Sequence, residues 1–412
     1  MKFTRFLRNE AVTAIEMATH VGQRTAARAV GRDVVVIQDT SELSLGGRRA
    51  RANGYGPVGK GGGVRGLLLH VVLALDGESG ALIGLLDTKV WNRGGGKAAP
   101  KRARQTEEKE SQRWLDGARA SAELLGGARR VTSVSDSESD MYELFARRPD
   151  DMHLVVRACQ NRRIETGGPD EMGLLFAHVD ELPEQGRVKA VVPAAPGRKA
   201  RETEFAIRFS RVLLRKPRNG AAADLPDSVG LTIVDVRETS MPDDSPPIHW
   251  RLLTTHRVVD LADARWIVSL YRMRWTVEEY FRSLKKTGFD IEEADIGDPE
   301  VMIKFVMAAA VAAVTVMQLV KARDGGTDQI VADVFEPEDQ PILEAISTRL
   351  EGQTARQKNP HRNGSLAFAA WVIARLGGWT GYYGKPGPQV MRRGLDDYQR
   401  IKFGTTLSLQ HV

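Results

Sequence analysis

The chain has 412 residues, 42% of them hydrophobic, enough for a buried core and, by length, for two or three domains. Lysine and arginine outnumber the acids 59 to 53, a modest basic excess that permits nucleic-acid binding without requiring it. Cys159 is the single cysteine, which excludes an intrachain disulfide and a cysteine zinc cluster and fits a reducing cytoplasm.

The first eight residues, MKFTRFLR, lack the apolar run of a signal peptide. Residues 10–30 read as a helix, with Arg24, Arg28 and Arg32 on a basic face. Residues 33–39 (DVVVIQD) read as a buried strand that ends in Asp39. A stretch rich in glycine and arginine follows over 42–66. Gly54, Gly59 and Lys60 there have the spacing of a phosphate loop, but Gly61 stands where a magnesium-binding Ser or Thr belongs. No strand leads into it, so we read a loop that can touch DNA rather than a nucleotide site. Residues 66–75 and 81–91 read as two strands joined by the turn Asp76-Gly77. His70, inside the first of them, reads as a core histidine, since no second histidine lies at ligand spacing.

Residues 97–104 form a basic linker, and residues 106–125 a helix with acids at its start. A strand over 130–135 leads into Asp136, a short helix over 140–147 can be capped by Asp140, and 153–158 is another strand. The order of these elements is that of a ribonuclease-H-like fold: α/β, with a mixed sheet flanked by helices. If the strands ending in Asp39 and Asp136 are parallel neighbours, both carboxylates reach one sheet edge, where such sheets bind ligands.

From residue 160 to 250, glycine, proline and charge interrupt short alternating runs at 187–192, 204–214, 230–236 and 248–254. This reads as a β-rich insertion. Within it residues 187–218 carry ten basic residues against Glu202 and Glu204, either a solvated face or a phosphate-contacting surface. Residues 260–286 read as one long helix, 300–323 as an alanine-rich core helix, 340–350 as a helix and 353–364 as a basic linker. The longest apolar run, 305–320, reads as buried rather than membrane-spanning. A helix over 366–376 is stopped by Gly377 and Gly378, and a tail with Pro386, Pro388, Arg392 and Arg393 follows.

The chemistry concentrates in residues 271–285, YRMRWTVEEYFRSLK. On a helix at 100° per residue, Arg274, Glu278 and Lys285 fall near one line with Tyr271 close to it, beside an apolar stripe of Val277, Phe281 and Leu284. A carboxylate flanked by two cations and a phenol suits a metal-bound phosphodiester. An amphipathic helix with an Arg–Glu pair is the other reading. With Asp39 and Asp136, Glu278 makes three carboxylates with no histidine or cysteine nearby, a set that selects magnesium or manganese. Two such ions about 4 Å apart can activate a water or 3′-hydroxyl for in-line displacement at phosphorus. Asp39 would bridge both, and Asp136 and Glu278 would hold one each. Glu138 and Glu279 are the nearest rivals, Glu279 lying about 100° round the helix.

VIQDTSEL around Asp39, VSDSESDMYEL around Asp136 and the Tyr271-Arg274-Glu278-Lys285 signature resemble the bacterial cut-and-paste DDE transposases of the Tn-five transposase type, in the IS-four superfamily. The upstream LLTTHRVVDLADARWIVSLYRMRWTVEEYF, EKESQRW over 108–114 and the C-terminal ARLGGWTGY and GPQVMRRGLD extend the likeness over nearly the whole chain. The resemblance implies a nick, a hairpin, its opening and strand transfer, each a two-metal displacement with Mg2+ or Mn2+. It implies double-stranded DNA at transposon ends and target DNA as partners, a homodimer through the C-terminal segment, a cytoplasmic location and no membrane. It implies that Trp250 stacks on a flipped base, that Tyr271, Arg274 and Lys285 hold phosphates, and that Arg157 approaches the DNA backbone. From its strand context alone, Trp250 also reads as a packed aromatic.

The implied layout is a helical remnant at 1–32, the catalytic core at 33–159 and 257–325, an insertion at 160–256 and a helical dimerisation region at 326–412. The family usually carries an end-recognising domain before the first Asp block. Only 38 residues precede Asp39, so that domain is expected to be largely missing. This keeps two other readings open: a short regulator that pairs with full-length transposase and inhibits it, and a host nuclease of the same fold.

Overall fold

The computed structural model describes residues 2–46, 53–59, 63–93, 111–166, 171–192, 199–218, 222–242 and 245–409. Helices α1 (Lys2–Arg8) and α2 (Ala14–Ala29) come first. The second starts where the Thr13 hydroxyl accepts from the Glu16 N–H, a side-chain cap that fixes its beginning four residues past the expected one. Then come β1 (Asp33–Leu45), β2 (Gly56–Val58), β3 (Val64–Asp76), β4 (Leu82–Trp91), α3 (Gln112–Leu124), β5 (Arg130–Ser135), α4 (Tyr142–Ala146) and β6 (Met152–Arg157). Further along are β7 (Arg163–Glu165), β8 (Met172–Leu174), α5 (Leu175–Glu181), β9 (Gly186–Val192), β10 (Arg201–Arg215), β11 (Ser228–Glu238) and β12 (His249–Thr254).

All of these strands belong to one mixed, twelve-stranded sheet with the path β2-β3-β1-β5-β6-β12-β11-β10-β7-β8, β4 lying on β3 and β9 on β10. Strand β1 is antiparallel to β3 and parallel to β5, and β5 is parallel to β6. The region after β6 does not form a separate sheet. Its last strand, β12, pairs antiparallel with β6 from Leu252↔Arg157 to Thr254↔Val155.

The first half of β1 is apolar on both faces because helices cover both. Val34 and Val36 pack with Leu115 and Ala118 of α3 on one side. Val35 and Ile37 face the other side, toward α6 (Leu261–Met273), α7 (Trp275–Arg282) and α8 (Pro299–Ala322), with Ile267, Val277 and Met302 in the same core. A third core joins the end of α8 to α9 (Asp339–Leu350), α10 (Leu366–Leu376) and α11 (Pro388–Leu409) through Leu319, Leu343, Trp371, Met391 and Tyr398. By length and composition α8 is the one described helix able to cross a membrane, yet Met302, Val306, Ala310, Ala313 and Met317 along it are buried in the protein.

Four elements differ from the sequence reading. Strand β1 does not end at Asp39 but runs on to Leu45, because Leu43 and Leu45 keep the inward alternation and β3 is long enough to pair with them. The expected single helix over 260–286 is α6, α7 and a π-turn at Ser283–Thr287. Asp140 caps no helix. It is buried, accepts from the N–H groups of Cys159 and Gln160, and pairs with Arg162 at 2.9 Å. The expected tail is helix α11, begun by Pro388 and docked by Met391 and Tyr398 at helical spacing. Lys60 and Gly61 of the loop, the linker at 97–104 and the helix start at 106–110 lie outside the described residues.

Candidate active site

Between β1 and β5 the parallel register holds from Asp33↔Arg130 to Ile37↔Val134. Two residues further on come Asp39 and Asp136, so the offset of the pairing sets both at one level. Each carboxylate accepts from the next residue's N–H, Thr40 and Ser137, at 2.7 Å. The third acid comes from a different element. Arg274 sits at the junction of α6 and α7 in the helical region of backbone space, and Glu278 follows one turn later on α7.

The Arg274 guanidinium gathers all three acids. It lies 3.6 Å from Asp39, 3.8 Å from Asp136 and 2.5 Å from Glu278. The arginine side chain is only 13% exposed, so solvent screens these contacts weakly. Burial pushes the Asp39 carboxyl up to about 6; the Thr40 N–H and Arg274 oppose this, and the charges of Glu138 and Asp136 add to it.

A family model of the transposase DDE domain matches residues 31–314, from just before β1 into α8. The chain belongs to that family. Its chemistry is cleavage and transesterification of DNA at transposon ends, generally with divalent metal ions. The matched segment of this DDE domain holds all three acids and Arg274.

Among the described residues, no three acidic, histidine or cysteine groups stand close enough to hold a metal as they are arranged. The donor set nonetheless fits one: three carboxylates converge on a single cationic group, and hard oxygen donors are what magnesium and manganese take.

Other predicted residues of the DDE domain fall at graded distances. Tyr271 is buried, with the Arg274 guanidinium 6.0 Å from its ring centre. Trp250 meets Tyr271 edge-on at 5.4 Å and stacks with Phe205 at 6.2 Å and 11°, so an aromatic row leads from β10 to the acids. Arg157, at the end of β6, is 3.8 Å from Asp136. Lys285 is not with the acids. Its ammonium donates to the Glu42 carbonyl and lies 3.5 Å from Glu292. Glu42 is three residues past Asp39, about 10 Å along the strand. Seven residues past Glu278, Lys285 stands two helical turns on, about 10 Å along the axis, within the π-turn. Of the rivals, Glu279 acts on Lys321 of α8, while Glu138 pairs with Arg113 at 3.0 Å.

Arg113 on α3 went unnoticed as a site residue. Its Nε donates to the Thr40 hydroxyl at 2.7 Å and its other arm holds Glu138, so it ties together the residues beside Asp39 and Asp136. The Thr40 hydroxyl also meets His70 Nδ1 at 2.9 Å. Burial, with Arg113 and Lys89 nearby, pushes the His70 ring down to about 3, which keeps it neutral. The only sequence signal for Arg113 was its place in EKESQRW, which marks a segment rather than a side chain.

Proposed function

We propose that this chain cleaves one strand at a transposon end, forms and opens a hairpin and transfers the 3′ end to target DNA, with Asp39, Asp136 and Glu278 as its catalytic carboxylates. The observation that carries the reading is the meeting of these acids, from the middle of β1, the end of β5 and helix α7, on Arg274. The fold is read as ribonuclease-H-like, interrupted at 160–256 by the β-rich insertion and followed over 326–412 by a helical region for homodimerisation. The carboxylates hold two divalent cations, magnesium or manganese. When bound, these lower the proton affinity of the attacking water or 3′-hydroxyl and offset charge on the leaving oxygen.

The protein's own groups do the positioning. Asp39, on β1, is half-buried, and Thr40 N–H fixes its orientation. Arg274 and Tyr271 meet the scissile phosphate from the helix side, and Arg157 meets it from the end of β6. Trp250, backed by Phe205, stacks on the flipped base during hairpin formation. Lys285 serves a phosphate farther along the strand, near Glu42. Cleavage of DNA carrying the element's inverted-repeat ends, in magnesium or manganese, tests this. Glu278→Ala is expected to lose both nicks and hairpins. Cleavage by that variant at the wild-type rate removes the assignment.

A further inference from the structure

Arg274 makes contacts that a phosphate-binding side chain does not need. A guanidinium 13% exposed stands against three carboxylates on three elements, in the space where cations would be held. Three carboxylates this close repel one another, and a single arginine leaves part of that repulsion in place. Metal and guanidinium therefore compete for the same oxygens.

We propose that Arg274 is the resident counter-ion of the acid cluster and that DNA releases it. Without DNA it occupies the carboxylates and weakens divalent-cation binding. A phosphodiester offers the same two-pronged partner that a carboxylate does, so substrate draws the guanidinium away and frees the acids for metal. The Tyr271 ring beneath the guanidinium gives it a surface to turn on without leaving the site. Trp250, edge-on to Tyr271, places the aromatic row in line with that movement. Metal loading and DNA binding are then coupled, and by linkage each strengthens the other. The device keeps a nuclease centre poorly charged until a substrate is present. It rests on Asp39, Asp136 and Glu278 being the metal ligands.

The test is the Mn2+ affinity of the full chain, read by the electron spin resonance of free Mn2+ with and without a random-sequence duplex, the duplex alone setting the background. Arg274→Gln is expected to bind Mn2+ about tenfold more tightly than wild type without DNA. Arg274→Lys, which keeps the charge but spans fewer oxygens, should shift in the same direction. Arg157→Gln, which removes a charge beside Asp136 alone, should shift much less. The duplex should tighten Mn2+ binding by wild type and leave Arg274→Gln unchanged. Equal affinity in wild type and Arg274→Gln, an equal shift in Arg157→Gln, no shift in Arg274→Lys, or no effect of duplex on wild type each overturns the proposal. If Asp39→Asn and Glu278→Gln bind Mn2+ as wild type does, the ligand assignment itself fails.

Discussion

Gln38 and Gly117 touch across the interface of β1 and α3, one residue before Asp39. A Cβ built on Gly117 would lie 2.3 Å from Gln38 Oε1 and 3.3 Å from a Val72 methyl carbon. Gln38 is buried and donates to Ser133 on β5 at 3.3 Å, so it has little room to yield. The close approach lets α3 lie flat on β3 and on β1, the strand that carries Asp39.

Gly117→Ala is therefore expected to destabilise the protein by about 1–3 kcal/mol through overpacking. Cleavage should fall with it, because the strain is applied next to Asp39. Gly126→Ala, where nothing lies within 4 Å of the new carbon, is the control and should stay within about 0.5 kcal/mol of wild type. Denaturant unfolding of the two variants compares them, and equal stability would show that α3 does not press on Gln38.

Two buried histidines make the fold sensitive to acid. His256 stacks on His153 at 3.9 Å and meets the Thr132 hydroxyl at 2.9 Å. Burial, with the charges of His153 and Arg130, pushes His256 from 6.5 down to about 3, and burial does the same to His70. A lowered pKa means that the folded state resists protonation. The stability is fully present above 6.5, the unfolded value, and is lost as pH falls from there toward 3. The slope approaches roughly 1.4 kcal/mol per pH unit for each histidine. Unfolding midpoints measured from about pH 7 to about pH 5 should fall, and less steeply in His256→Gln. A flat profile in wild type would mean that these rings are solvated.

Much of this was legible in the sequence, for identifiable reasons. DVVVIQD announces a buried strand because both its faces are apolar, RVTSVS shows its strand only through Val131 and Val134 beside buried Thr132, Ser133 and Ser135, and the acids Asp39 and Asp136 stand out. The extension of β1 past Asp39 was hidden because Thr40, Ser41, Glu42 and Ser44 are polar; only the pairing with β3 reveals the alternation of Leu43 and Leu45. The π-turn that carries Lys285 was hidden because no residue of SLKKT signals one. Helix α11 was concealed by Pro386 and Pro388, which start it rather than break it. The three-acid grip of Arg274 depends on tertiary approach, which spacing within one helix cannot give.

Arg113 bridges Thr40 and Glu138, the neighbours of two of the acids. Supporting contacts of this kind typically contribute 10- to 100-fold in activity. Arg113→Ala should lose about that much in the cleavage rate, and Arg113→Lys nearly as much, since an ammonium cannot hold both partners in the same fork. The unfolding midpoint should move little, because Glu138 is exposed and Thr40 retains His70. Full rescue by lysine would show that charge alone matters at this position.

Tyr280 fixes the height of α7, and with it Glu278, against the core. It is fully buried, and its hydroxyl donates to the Ala310 carbonyl of α8 at 2.6 Å. That carbonyl lies in the helix interior and already serves the α8 ladder, so removing the hydroxyl strands no acceptor. Tyr280→Phe should then cost about 1 kcal/mol. Tyr280→Ala opens a cavity and should cost about 3–5 kcal/mol. The two variants separate packing from position. In Tyr280→Phe the ring still props α7 and cleavage should stay near wild type. In Tyr280→Ala the helix can settle toward α8, drawing Glu278 away from Asp39 and Asp136, and cleavage should drop by more than the lost stability explains. Single-turnover rates, taken where both variants remain folded, decide it; equal rates would mean that α7 is held in place by α6 and not by this contact.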